Sequence, residues 1–184
     1  MTSKHQAPPV WHYWLLSFFI IAVQIAVLLL LDRTWFCTCG YVTLWQGMPD
    51  PAQNSQQPID PYSFMHVAFG SVLFIWLQAI RPTWPIYRRA TYAVASSCIW
   101  EIAENLPFVI HLFGAQGSGL DYSGDSIVNS VGDTLAVILG FAVASRLPPI
   151  VVVSGIVLIE IATFFMIGDS ILAGLLRVTT SLVA

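Results

Sequence analysis

Glu101, Glu104 and Asn105 stand at positions i, i+3 and i+4 of an apolar run, so a helix there carries two carboxyls and an amide on one face. Asp125, Asn129 and Asp133 step by four along the next apolar run and make a second polar face. No Lys or Arg stands near either set to neutralise it. An unpaired carboxylate in hydrocarbon costs several kcal/mol, so such groups face a bundle interior and mark a functional site. His66 adds an imidazole one turn into a third apolar run.

One imidazole, several carboxyls and an amide suit two kinds of chemistry. Hard oxygen donors suit Mg, Ca or Mn, and an added His extends the choice to Zn, Mn or Fe. A divalent cation would also supply the missing counter-charge. Without a metal, one carboxyl with a raised pKa acts as acid while another acts as base. His66, Glu101 and Asp125 are the candidate metal ligands, and Glu101, Glu104 and Asp133 the candidate proton-transfer residues. Asn105, Asp121 and Asn129 are candidate binding residues, Asn129 as the amide that orients a headgroup. Each has a structural alternative: protonated glutamates bonded inside a bundle, a core histidine, or helix caps at Asp121 and Asp125. Capping does not extend to Asn129 or Asp133, which lie too deep. No Ser-His-Asp nucleophile motif is present, and Gly114, Gly117 and Gly119 fit neither a Walker loop nor a dinucleotide fingerprint.

The elements that must position these groups follow from composition. The 184 residues are 57% hydrophobic and 9% charged, with a mean hydropathy of +0.74. Soluble domains carry roughly 25% charged residues. The expected fold is an all-α integral membrane bundle, a single multi-pass domain over 1–184. Spans are expected at 12–31, 62–80, 89–112, 125–146 and 149–168, each near the ~20 residues a bilayer crossing needs. The run 170–182 is shorter and carries Arg177, so it reads as a short sixth, interfacial or re-entrant segment. A net charge of −3 without a basic patch argues against nucleic acid; the partners expected are the lipid bilayer and a lipid or lipid-linked substrate, with the oligomeric state left open. The N-terminal run is too long for a signal core and reads as a retained anchor.

Lys4, Arg81, Arg88, Arg89 and Arg146 share one side if the N-terminus is cytoplasmic, with Arg33 and Arg177 opposite. Loops 32–61 and 113–124 are then extracytoplasmic. On that topology His66, Glu101, Glu104, Asp125, Asn129 and Asp133 fall in one slab in the outer half of the bilayer, none deeper than roughly 17 Å at a helical rise of about 1.5 Å per residue. Pro107 is expected to kink the third span and free the carbonyl of Ala103, His111 to fall near the acidic face, and Gly132 to allow close helix approach. Asp60 is placed to cap the second span, and Glu160 lies mid-span. Cys37 and Cys39 flank a single residue, a spacing that reads as two ordinary loop cysteines, with a redox or metal role as the alternative.

The stretch Asp121-Tyr122-Ser123-Gly124-Asp125-Ser126-Ile127-Val128-Asn129-Ser130-Val131-Gly132-Asp133, downstream of Trp100-Glu101-Ile102-Ala103-Glu104-Asn105, resembles an uncharacterised family of small multi-pass bacterial inner-membrane proteins. It is more distantly similar to VanZ-like proteins over residues 60–140, through Asp125, Asn129 and Gly132 and an acidic position at Glu101 or Glu104. Pro61 stands where the VanZ-like signature has Lys, and Asp60 and His66 are more widely spaced than in that signature. The resemblance implies a bacterial plasma-membrane location and a set of residues. From the residues, the expected function is a metal-binding or proton-transferring site on an envelope lipid or lipid-linked substrate. Proton- or cation-coupled transport and a non-catalytic subunit of an envelope complex are the alternatives.

Overall fold

The computed structural model describes residues 8–47, 50, 53–115 and 122–183. Among these residues the regular structure is helical throughout, in seven helices: α1 Val10–Leu30, α2 Pro61–Ile80, α3 Ile86–Glu104, α4 Pro107–Ala115, α5 Ile127–Ala144, α6 Pro149–Ile167 and α7 Ile171–Val183. Four of them (α1, α2, α5 and α6) are long and apolar enough to cross a membrane, or five if α3 and α4 form one broken span. The candidate span 89–112 is thus two helices bent by 73°. Pro107 opens the second of them, where its missing N–H costs nothing. The Ala103 carbonyl accepts the Leu106 N–H at 3.1 Å instead of its helical partner.

Cross-helix bonds fix the direction and register of the central helices. His66 meets Glu101 and Gln78 meets Arg89, so α2 and α3 are antiparallel. Ser97 donates to Thr134 and Asn105 to Asp125, so α3 and α5 are antiparallel too. The α2–α5 contact is glycine-made. A Cβ on Gly140 would lie 2.0 Å from the Val67 carbonyl oxygen, and one on Gly70 2.1 Å from that of Val137. Backbones therefore touch at the crossing, as small residues allow. Gly132 likewise leaves room for the Pro58 carbonyl oxygen, 2.0 Å from where its Cβ would be.

The described residues of the connection between α1 and α2, 32–47, 50 and 53–60, fold over one end of this bundle. Their carbonyls take the N–H groups that the first turn of α5 leaves without helical partners: Ser126 N–H to Ser55 at 3.0 Å, Ile127 N–H to Thr34 at 2.8 Å and Val128 N–H to Trp35 at 3.2 Å. Gln57 is fully buried within this cap. Cys37 and Cys39 are joined in a disulfide, Cα to Cα 5.1 Å, which corrects the reading of two ordinary loop thiols. At the opposite end the core is apolar, with Leu73, Leu77, Ala93, Val137 and Phe141 in one cluster. Glu160 on α6 accepts the N–H groups of Ile171 and Leu172 at 3.1 and 3.2 Å, so its carboxylate caps α7 rather than joining the acidic faces.

Candidate functional site

Three helix ends build the site beneath the folded cap. Asp60 starts α2 as its N-cap, accepting the Tyr62 and Ser63 N–H groups, while the Ser63 hydroxyl oxygen accepts the Asp60 N–H. This capping box contributes about 1 kcal/mol and sets the rotation of the first turn of α2. That rotation aims His66, one turn on, at α3 and α5. His66 Nδ1 lies 3.4 Å from Glu101 Oε1, and its Nε2 lies 3.7 Å from Asp133 Oδ2. Asp133 is held from the other side by the Ser63 hydroxyl, which donates to Oδ1 at 2.7 Å.

Glu101 is fully buried, and neither carboxylate oxygen has a hydrogen-bond donor. The Ser130 hydroxyl and the Glu104 carboxyl lie beside it. Glu104 is half-buried one turn on, its carboxyl against that of Asp125. His66, Glu101 and Glu104 each offer a ligand atom, and the three atoms lie within 4.8 Å of one another. Metal–ligand bonds of about 2.0–2.6 Å place ligands of one ion roughly that far apart. Among the described residues no Lys or Arg forms an ion pair with these carboxyls.

Asn105 and Asp125 form the rim. The Asn105 side chain donates to Asp125 Oδ2 at 2.5 Å and to the Glu101 carbonyl at 2.9 Å, and its Oδ1 accepts the Asp125 N–H at 2.8 Å. Tyr122 donates its hydroxyl proton to Asp125 Oδ1 at 3.0 Å. Asp125 is not the cap of α5, a role that falls to Ser126. Burial pushes the Asp125 carboxyl above the ordinary Asp range, against the opposing pull of its Asn105, Glu104 and Tyr122 partners. Asp60 is also raised, by burial first and by the charge of Asp133 second.

The sequence candidates therefore divide. His66, Glu101, Glu104 and Asp133 converge, with Asn105 and Asp125 beside them. Asn129 turns its amide to the cap, donating to the Gln57 carbonyl at 2.8 Å, while its Oδ1 is buried without a donor. His111 is exposed on α4. Asp121 lies outside the described residues. Sequence reasoning missed Ser63, Tyr122, Gln57 and Gln24. Gln24 is fully buried on α1 and accepts from Cys98 at 3.0 Å and Thr134 at 3.3 Å, one turn below the site. Its signal was available: an amide alone in the most apolar stretch of the first helix.

A family model described as "Protein of unknown function (DUF2585)" matches residues 28–182. The chain belongs to the DUF2585 family. Its relatives include a UPF0314 protein of Rhizobium meliloti (strain 1021), 39% identical over 159 residues, covering 86% of this chain and 81% of the relative. A UPF0314 protein of Sinorhizobium fredii (strain NBRC 101917 / NGR234) is 36% identical over 170 residues, 92% of this chain and 86% of its own. One from Sphingopyxis alaskensis is 34% identical over 167 residues, 91% and 89% of the two chains. No solved structure matches the chain. The match to DUF2585 takes in α2, α3 and α5, the three helices that carry the converging residues.

Proposed function

We propose that this DUF2585 chain is a multi-pass protein of the bacterial plasma membrane that holds a divalent cation among His66, Glu101 and Glu104. The cation presents a Lewis acid to an envelope lipid or lipid-linked substrate. One observation carries the reading: the Glu101 carboxyl is fully buried, both its oxygens lack a hydrogen-bond donor, and a second carboxyl and an imidazole stand within ligand range of it. A buried carboxylate left in that state costs several kcal/mol. A shared cation offsets that cost at all three groups at once.

The membrane reading is supported by large apolar side chains left exposed along α1 and α6, among them Phe18, Phe19, Leu158 and Phe165. The disulfide supports an oxidising compartment for the cap, hence an N-terminus in the cytoplasm and the site in the outer half. In such a site the cation would polarise a phosphoryl or carbonyl oxygen, Asn105 and Tyr122 would hold the Asp125 rim, and Asp133 would orient the His66 imidazole from its far nitrogen. The VanZ-like pattern at Asp125, Asn129 and Gly132 is a likeness of residues and adds no activity.

A transport path is less well supported. The polar track continues below the site through Ser130, Thr134, Ser97 and Gln24 but then meets the apolar cluster around Val137 and Phe141. The test is the metal content of purified protein, wild type against Glu101→Gln and Asp133→Asn, each shown to be folded by its gel-filtration profile. Near-stoichiometric metal in the wild type and a loss in Glu101→Gln are expected; equal, negligible metal in all three contradicts the proposal.

A further inference from the structure

The end of the bundle opposite the carboxyls carries unbalanced positive charge. Arg81 and Arg88 both place their guanidinium groups over the Trp84 ring, 5.4 and 3.9 Å from its centre. Two cations share one indole, and no Asp or Glu occurs between residues 61 and 100 to balance them. The neighbouring Arg89 is buried and already committed, to the Gln78 side chain and over the Phe74 ring. Arg81 is exposed and Arg88 half-exposed, so the pair faces outward. Two guanidinium groups gathered on one ring, with no acidic residue in the flanking sequence, make a compact positive patch that attracts anions.

The surroundings say which anion. Trp84 packs against Tyr92 at 4.9 Å, and Trp14 at the start of α1 lies 6.3 Å from Tyr87. Trp11, Trp14, Tyr87 and Tyr92 are exposed around the same level. Amphipathic rings collected at one level mark the headgroup layer of a bilayer, where lipid phosphates sit. Guanidinium groups bind phosphate through paired N–H donors.

We propose that Arg81 and Arg88, held on Trp84, form a docking site for the phosphate of an anionic phospholipid in the leaflet opposite the carboxyl site. This rests on the membrane part of the function proposed above, though not on its metal. Arg146, exposed at the same end but bonded only to the Ala142 carbonyl at the end of α5, serves as a control for unspecific charge attraction.

The experiment is lipid retention by native mass spectrometry of the full chain in neutral detergent, titrated with phosphatidylglycerol or phosphatidylcholine. Wild type is expected to retain phosphatidylglycerol preferentially. Arg81→Gln/Arg88→Gln should bind it on the order of tenfold more weakly, given the usual worth of a headgroup-level arginine, and Arg146→Gln by less than about twofold. Equal retention of the two lipids by wild type, or an undiminished preference in the double variant, overturns the proposal. So does displacement of the lipid by millimolar inorganic phosphate, which assigns the pair to a free anion. Reconstitution into vesicles separates the layers of inference: a chain that fails to co-float with lipid removes the membrane reading as well, whereas one that floats without lipid preference removes only this site.

Discussion

Asp133 stands between two partners of different kinds, a hydroxyl donor at Ser63 and the far nitrogen of His66. With a cation on the Nδ1 side, Asp133 becomes the carboxylate that fixes the tautomer and orientation of a metal-binding imidazole, and Ser63 the group that fixes Asp133. Outer partners of that sort are worth roughly 10–100-fold in metal affinity. Asp133→Asn should therefore weaken binding by about that factor at unchanged saturating stoichiometry, whereas Glu101→Gln removes a ligand; titration calorimetry separates the two. An Asp133→Asn variant that binds as tightly as wild type contradicts the orienting role. At this scale the sequence was informative where helical spacing alone decides, as for Glu101 with Asn105; Asp125 precedes α5, so the four-residue step to Asn129 and Asp133 did not govern its place. The sequence was silent on Ser63 and Gln57, whose partners Asp133 and Asn129 lie 70 and 72 residues away. Such pairings depend on helix rotation that no local pattern encodes.

Among the elements, α5 is the organiser. Its glycines meet the backbone of α2 and of the chain leading into it, its first turn is closed by the cap, and its buried face carries Asn129, Ser130, Asp133 and Thr134. Gly140→Ala should cost about 1–3 kcal/mol, because the new Cβ meets a carbonyl of α2 rather than a flexible side chain; thermal unfolding in detergent reads it. Gly155→Ala on α6, where nothing lies within 4 Å, should change stability little. A Gly140→Ala protein as stable as wild type contradicts the packing described. Glu160 acts on one element only. Glu160→Gln should increase hydrogen exchange over 171–183 without altering α2 or α5, since it weakens the two N–H bonds that start α7. Of the elements, the short C-terminal helix was legible from the length of its apolar run, and the break at Pro107 from the proline. The proline foretold a kink but not its size, 73°.

The whole molecule is polarised: the clustered carboxyls, the cap and the disulfide lie at one end, and Arg81, Arg88 and Arg89 around Trp84 and Phe74 at the other. The cap is where sequence reading fell furthest short. A Gln- and Pro-rich stretch gives no periodic signal, yet it closes the first turn of α5 and buries Gln57 completely. Spacing argued against joining Cys37 to Cys39, and the fold brings them together. Thiol counting checks this state. Native protein should show no reactive thiol, because Cys98 is buried; unfolding without reductant should expose one, and reduction three. Three thiols without reductant contradict the disulfide.

The central claim is that α2, α3 and α5 bring His66, Glu101 and Glu104 around a single cation. Electron spin-echo spectroscopy of the Mn(II)-loaded protein tests it most directly, because it detects a nitrogen bound to the metal. The account predicts nitrogen modulation in the wild type that disappears in His66→Gln and no bound Mn(II) in Glu101→Gln. Mn(II) bound without nitrogen coupling, or coupling that survives loss of His66, would contradict it.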